Sequence, residues 1–251
     1  MRHLRLLLIF AALLLAASCA RRADDAADDD VEPPTEPPTE EEADPRPIPP
    51  PTAVDGAPRV VAIGDVHGDL AATRAALRLA GAIDDDDQWI GGALVVVQTG
   101  DQIDRGDEDR AVLDLLESLA NRAHEAGGAL YSLSGNHEVI NVELDFRYVS
   151  DAGFEAFSDI EIDPMDMDVN AKPEEQQGRA AAFRPGGPYA VMLAGRNIAM
   201  TVGKVAFVHG AILPEHAEYG IEKINAESQA WMRGQAAMPD FLDGEDAIVW
   251  A

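Results

Sequence analysis

The sequence predicts an α/β fold. Four times along the chain, a short apolar segment rich in β-branched residues ends in a polar loop that carries Asp, His or Asn beside glycine. Amphipathic helical patterns follow the first two loops, and strands that alternate with helices are typical of α/β sheets. Because strand ends lie together at one edge of such a sheet, we expect the four polar loops to converge.

The amino-terminal residues 1–18 have the features of a signal peptide. Basic residues precede an apolar run that is too short to cross a bilayer comfortably, and small residues lead up to Cys19. This arrangement resembles a bacterial lipobox, which implies cleavage before Cys19 and acylation of this residue. We then expect a lipid-anchored protein of the cell envelope, either periplasmic or associated with the outer membrane. The alternative is an ordinary signal peptide and a soluble periplasmic or secreted protein.

Residues 19–58 are expected to form a disordered tether between the membrane and the folded domain, which would comprise residues 59–251. The tether is acidic, rich in proline and poor in large apolar residues. Such a segment cannot bury enough surface to offset the entropy lost on ordering. Charge repulsion and polyproline geometry should keep it extended.

The overall charge restricts the classes of function. The 251 residues carry a formal net charge of −27, from 46 Asp and Glu against 19 Lys and Arg. This balance argues against nucleic-acid binding, which needs a basic face, but not against binding of metal ions. The single cysteine excludes an intramolecular disulfide framework and a cysteine-based zinc cluster.

The first half of the predicted domain contains two strand–loop–helix units. A strand over residues 59–63 ends in the loop GDVHG at 64–68, and Asp69 can cap the helix that precedes Gly81. A second strand within residues 89–98 ends in TGDQIDRG at 99–106. The helix expected from about 108 to 126 has an apolar stripe at helical spacing and ends at two glycines.

Two further strands complete the pattern. A strand over residues 129–133 leads into SGNHE at 134–138, and a strand over 204–208 leads into His209 and Gly210. Carboxylates, imidazoles and an Asn carbonyl are ligands suited to divalent transition metals. The glycines allow backbone and phosphate to approach closely. For any single loop, ordinary polar capping is the alternative, but four such loops in order indicate a shared site.

The loops GDVHG, GDQIDRG, GNHE and the final HG resemble, in order and composition, those of the calcineurin-like metallophosphoesterases. The second loop, with its arginine, resembles the corresponding motif of the phosphoprotein-phosphatase branch of this family. Residues 141–157, 185–190 and 219–225 resemble the Shewanella-like bacterial protein phosphatases. The resemblance covers about residues 59–251 and implies two mixed sheets packed as a sandwich with outer helices.

The resemblance also implies a role for each polar side chain. Two divalent ions, with manganese expected and iron or zinc as alternatives, would be bound by five residues: Asp65, His67, Asp101, Asn136 and His209. Asp101 would bridge the ions, and a hydroxide activated between them would attack phosphate in line. Arg105 would hold phosphate oxygens. His137 would be the general acid for the leaving oxygen, oriented by Asp104, and Glu138 would have a supporting role.

The resemblance thus implies a metal-dependent phosphomonoester hydrolase that acts on a phosphorylated protein. The alternatives are a phosphatase of small molecules or dinucleoside polyphosphates, and an inactive phosphate-binding remnant. The family pattern normally continues to a further arginine and a GH motif, which this chain lacks, and Ala211 stands where glycine is usual. We therefore expect the C-terminal strands to be missing, through truncation or as a short variant with a weaker second metal site.

Overall fold

Two three-stranded sheets lie at the centre of the computed structural model, which describes residues 49–251. One sheet is mixed, and its strands in spatial order are β1 (Ala53–Val54), β5 (Ala199–Val202) and β6 (Val205–Val208). The other sheet is parallel and consists of β2 (Val60–Ile63), β3 (Val95–Gln98) and β4 (Ala129–Ser132). The predicted α/β fold with two sheets and flanking helices is confirmed.

Helices connect the strands and cover the sheets. Within residues 49–251 the helices are α1 (Leu70–Leu79), α2 (Asp109–Glu125), α3 (Asn136–Val142), α4 (Asp151–Glu155), α5 (Met167–Asn170), α6 (Glu174–Phe183), α7 (Pro188–Leu193), α8 (Pro214–Tyr219) and α9 (Ile221–Met232). A short 3₁₀ turn follows at Asp240–Leu242. In this part of the chain no helix is both long and apolar enough to span a bilayer.

The first two helices form the crossovers that parallel strands require. Asp69 caps α1 as predicted, since its carboxylate accepts a hydrogen bond from the backbone N–H of Ala72 at 2.8 Å. The apolar stripes of α1 and α2 bury Leu77 and Leu116 in one core cluster with Val96 of β3. The sequence predicted both helices to within two residues at each end.

The other face of β3 packs against the second sheet. Val95 and Val97 point away from the helices and share a core cluster with Met200 and Val202 of β5. Side chains alternate between the faces of a strand, so β3 is buried on both sides and its residues are almost continuously apolar. This packing makes the two sheets a sandwich.

The register of the parallel sheet determines where the site lies. Ile63, Gln98 and Ser132 occupy the same level of three neighbouring strands. The loops that follow these strands therefore leave the same edge of the sheet side by side, as the sequence predicted.

The predicted tether extends too far along the chain. Ala53–Val54 form β1, and Asn197 donates a hydrogen bond to the carbonyl oxygen of Pro50 at 3.1 Å. Asn225 donates to Thr52 Oγ1 at 3.0 Å. The boundary at residue 58 is wrong because composition does not reveal that this segment pairs with β5. The predicted signal peptide, Cys19 and the rest of the tether lie outside the described residues.

Candidate active site

Asp101 lies at the centre of the converging loops. Its Oδ2 atom is 3.3 Å from Nε2 of His209 and 3.8 Å from Nε2 of both His67 and His137. The backbone N–H groups of Val66 and His67 donate to the carbonyl oxygen of Asp101 at 3.0 Å, which ties the first loop to the second. The shared, buried carboxylate of the second loop is thus surrounded by side chains from the other three predicted loops.

Asp65 and Asn136 complete the set of predicted metal ligands. Asp65 lies 3.6 Å from Nε2 of His67 and 3.8 Å from Nδ1 of His209, measured from its carboxylate oxygens. Two groups have ligand atoms within 4.8 Å of one another, namely His67–Asp101–His137 and Asp65–Asp101–His209. The structure therefore brings together all five predicted ligands, and it includes His137, the predicted acid, in the first group.

The donor atoms fit divalent metal ions. His67 Nδ1 lies 3.1 Å from the carbonyl oxygen of Ile103, to which it donates, so Nε2 carries the lone pair and faces the Arg105 guanidinium at 2.8 Å. The side-chain oxygen of Asn136 faces only acceptors, 2.8 Å from His209 Nε2 and 3.2 Å from Asp101. A cation bound among these acceptors offsets their mutual repulsion. Rotation of the Asn136 amide has the same effect, because it turns the NH₂ group toward Asp101 and His209.

The charges around Asp101 favour its ionised form. Burial acts to raise the pKa of this carboxyl, but hydrogen bonding and attraction from His209, together with contacts from His137, hold the pKa below its usual value. The pKa of His209 shifts in the opposite direction. Burial acts to lower it, but the hydrogen bond and the attraction from Asp101 raise it above its usual value. Two neighbouring imidazoles thus keep a nearly buried carboxylate charged.

Glu138 fixes the backbone of the central loop. Its carboxylate accepts hydrogen bonds from the backbone N–H groups of Asp101, Gln102 and Gly135, each at 2.8 Å. Complete burial and the nearby Asp101 raise its pKa to about 7, against the effect of these donors. Glu138 therefore joins the second and third loops, the supporting role that the sequence predicted.

Four residues of the site have left-handed backbone conformations that are unusual for side chains with Cβ. The φ angles are 43° at His67, 56° at Asp101, 70° at Asp104 and 68° at Arg105. Such conformations cost on the order of 1–3 kcal/mol each and persist only where the surrounding contacts enforce them. The fold therefore holds the first loop (64–68) and the second loop (99–106) in backbone conformations that isolated peptides would not prefer.

The predicted general acid and its partner are fully buried. Nδ1 of His137 lies 2.7 Å from Oδ2 of Asp104. Its Nε2 has no hydrogen-bond partner within residues 49–251, although it is shielded from solvent by the protein. A ring nitrogen that is held by a carboxylate on one side and unpartnered on the other, beside Asp101, is in position to donate a proton.

Arg105 is exposed at the rim of the site. Its guanidinium contacts His67 Nε2 at 2.8 Å and lies 5.6 Å from the ring centre of Tyr148, which is itself 5.0 Å from the ring of His137. The predicted phosphate-binding arginine is thus beside the ligand cluster.

Sequence reasoning missed two buried residues behind the acid. Asn141 donates to both carboxylate oxygens of Asp104 at 3.0 Å, and Arg179 donates to Oδ1 at 3.0 Å. The signals were present in the sequence. Asn141 is four residues after His137, on the same helical face, and Arg179 stands in an otherwise small and apolar stretch, GRAAAF.

Gly100 provides a test of the loop packing. With φ at +114°, an added Cβ would lie 2.7 Å from the backbone nitrogen of Gly135 and 3.0 Å from His209 Nδ1. We expect Gly100→Ala to lower the free energy of unfolding by about 2–4 kcal/mol through strain and overpacking. Gly64→Ala is the matched control, since its Cβ would meet nothing within 4 Å. Equal chemical denaturation curves for the two variants would contradict this packing.

The fold and the site together define a class, the metal-dependent phosphoesterases, in which strand-end carboxylates and imidazoles surround one shared Asp. The sequence model of the calcineurin-like phosphoesterases matches residues 58–243, and the chain belongs to this family.

Similar proteins narrow the group within the family. Shewanella-like protein phosphatase 2 of Arabidopsis thaliana is 39% identical, with 76% of this chain and 57% of the relative covered. Shewanella-like protein phosphatase 1 of Plasmodium berghei is 28% identical over 77% of this chain and 51% of its own length. The chain spans somewhat more than half the length of these curated relatives.

A solved structure agrees with these relatives. The cold-active protein-tyrosine phosphatase of a psychrophilic Shewanella species matches with a TM-score of 0.63 and 27% sequence identity, over 81% of this chain and 59% of that structure. The resemblance to Shewanella-like phosphatases that the sequence predicted is confirmed.

Proposed function

We propose that this protein hydrolyses phosphomonoesters of phosphorylated proteins, with two divalent metal ions bound at the strand ends. The observation that carries the proposal is the sharing of one buried carboxylate, Asp101, by His67, His137 and His209. The same centre is bordered by an exposed arginine and by a buried histidine with an unpartnered nitrogen. Metal ligation, phosphate binding and proton donation are the functions that phosphoryl transfer to water needs.

Each side chain has a separate task in this proposal. Metal ions held by the five ligands would supply Lewis-acid activation and neutralise phosphate charge. Arg105 binds the non-bridging phosphate oxygens through its guanidinium. His137 holds a proton at Nε2, toward the leaving oxygen, while Asp104 holds the Nδ1–H and fixes the plane of the ring.

The surroundings of the site suit a protein substrate. Tyr148, whose ring is 5.0 Å from the ring of His137, also lines a surface cavity of about 540 Å³. The wall of this cavity combines apolar and acidic side chains, namely Ile140, Leu242 and Trp250 with Glu143, Asp145, Asp243 and Glu245. A residue next to the phosphorylated side chain can occupy such a depression. The names of the similar proteins, which include a protein-tyrosine phosphatase, support a phosphoprotein over a dinucleoside polyphosphate.

Activity assays test the proposed function. With excess Mn²⁺, we expect the full chain to hydrolyse p-nitrophenyl phosphate and at least one of three phosphopeptides that carry phosphoserine, phosphothreonine or phosphotyrosine. Turnover should cease with EDTA and return with Mn²⁺ more fully than with Fe²⁺ or Zn²⁺. Activity confined to diadenosine polyphosphates would favour the small-molecule alternative. Binding of phosphate without turnover of any substrate would indicate the inactive alternative.

We also propose that the protein is anchored to the cell envelope through acylated Cys19. The small residues before this cysteine and the basic and apolar segments before them support the proposal. Cys19→Ala should abolish labelling by a radioactive fatty acid and shift the protein from the membrane pellet to the soluble fraction. Cys19→Ala protein that still pellets with membranes would refute the anchor, whereas a wild-type protein that is secreted and unlabelled would favour an ordinary signal peptide.

A further inference from the structure

Arg179 is the largest of the completely buried side chains in the described structure. It lies on α6 beside the rings of Phe157 and Phe183, whose centres are 5.2 Å and 5.0 Å from the guanidinium carbon. An arginine is rarely buried completely without charged partners, because the loss of hydration is costly.

Each of the three nitrogens of this guanidinium donates to a defined acceptor. One terminal nitrogen donates to Asp104 Oδ1 at 3.0 Å, and the other donates to Asp109 Oδ2 at 2.7 Å and to the carbonyl oxygen of Gly153 at 2.9 Å. Nε donates to Asn141 Oδ1 at 2.8 Å. Arg179 thus links the second loop (99–106) to the start of α2 and to α3, the helix that carries His137.

These contacts determine the position of Asp104. Its Oδ1 accepts from Arg179 and Asn141, whereas Oδ2 accepts from Asn141 and faces Nδ1 of His137, 2.7 Å away. The backbone N–H of Asp104 donates to Asp109 Oδ1 at 3.0 Å, and Arg179 binds the other oxygen of the same Asp109. The carboxylate and the backbone of Asp104 are therefore both held through one arginine.

The charges of the cluster explain why an arginine is needed. Asp104, Asp109 and Arg179 are all fully buried. Burial raises the pKa of Asp109, and attraction from Arg179 opposes that rise. Without the guanidinium, the carboxylates of Asp104 and Asp109 would lie close together in a site with little access to water, and they would repel.

We infer that Arg179 is a positioning residue for proton donation, because it fixes the Asp104 carboxylate that orients His137. This inference rests on the proposed phosphatase function. As an oxygen from water bonds to phosphorus and the bond between phosphorus and the leaving oxygen breaks, the proton on Nε2 passes to the leaving oxygen, and the Nδ1–H stays hydrogen-bonded to Asp104. A rotated or displaced Asp104 would release the ring, so Nε2 would no longer face the leaving oxygen.

The imidazole N–H of His137 reports this arrangement directly, without turnover. In ¹H–¹⁵N spectra of the metal-free full chain, we expect a downfield Nδ1 proton that His137→Gln removes. Arg179→Lys keeps the charge but loses the fork of donors, and it should speed exchange of this proton with water at least about tenfold. Arg196→Lys is the matched control, because Arg196 is also buried but contacts Glu117 and Gln102 instead.

Kinetics provide a second readout. A defect in proton donation is felt most with a poor leaving group, so Arg179→Lys should lower kcat on phenyl phosphate about tenfold more than on p-nitrophenyl phosphate. The control Arg196→Lys should affect both substrates alike. A merely structural arginine would lower stability or kcat without this dependence on the leaving group.

The outcomes separate the inference from the proposed function. If the wild-type chain turns over no phosphomonoester, the proposed function fails. The exchange rate of the His137 Nδ1 proton then still tests whether Arg179 fixes Asp104. An unchanged exchange rate in folded Arg179→Lys protein would overturn the inference. Should that variant fail to fold, the double variant Arg179→Gln/Asp109→Asn keeps the charge of the cluster unchanged, and an unaltered His137 proton in it would overturn the inference equally.

Discussion

Asp101→Asn is expected to remove most metal binding and to lower kcat by more than about two orders of magnitude. The substitution keeps the shape of the side chain but removes the charge that His67, His137 and His209 share. Oδ1 of Asp101 accepts a hydrogen bond from the backbone N–H of His137. Asparagine keeps an oxygen at this position, so the loop should stay in place. Calorimetric titration with Mn²⁺ measures the loss of affinity, and p-nitrophenyl phosphate hydrolysis measures the loss of rate.

The same substitution at Asp69 is the matched control. Asp69 caps α1 through the backbone N–H of Ala72, close in sequence to His67 but outside the ligand cluster. Asn is as good an N-cap as Asp, so Asp69→Asn should retain the metal stoichiometry and the rate. An Asp101→Asn protein that binds Mn²⁺ as tightly as the wild type would show that Asp101 is not the shared ligand.

His137→Gln should lower kcat by about 10²–10⁴-fold while the bound metal is retained. The ring is held by Asp104 through Nδ1, and its Nε2 is left without a partner beside the ligand cluster. Loss of the ring removes the proton donor but none of the five predicted ligands. Metal content by mass spectrometry and kcat on phenyl phosphate should therefore change independently.

His216→Gln is the control for removal of a buried imidazole. Its Nδ1 accepts the backbone N–H of Leu213 at the start of α8. This variant should lose some thermal stability but keep its rate. The possible ligand atoms of His137, His67 and Asp101 lie within 4.8 Å of one another, so the alternative is that His137 binds metal. Parallel loss of metal and rate in His137→Gln would establish ligation rather than proton donation.

The strands and helices that build the site were predictable because their signals are local. Apolar runs of four or five residues that end in Gly and Asp define β2 and β3, and the cap at Asp69 defines the start of α1. The five predicted ligands followed from the resemblance of the four loops, in their order, to those of the calcineurin-like metallophosphoesterases. The convergence of the first three loops follows from a general property of parallel sheets, in which the carboxyl ends of neighbouring strands lie together. The fourth loop follows β6 of the other sheet, so the packing of the two sheets brings His209 to the site.

The edge of the second sheet was not predictable in the same way. β1 has two residues in a segment whose composition is typical of disorder, and it exists because it pairs with β5, more than a hundred residues further along the chain. A hydrogen bond between distant segments leaves no periodicity in either of them. The predicted tether therefore included residues that belong to the fold.

By itself, the sequence determined the α/β class, the four polar loops and the residue types proposed to bind metal and phosphate, because periodicity and loop composition are local properties. Only the tertiary structure decided how the acid is held. Arg179 reaches Asp104 across 75 residues and Asp109 across 70. A buried charge is stable only where its partners are placed around it, and the folding of distant segments places them.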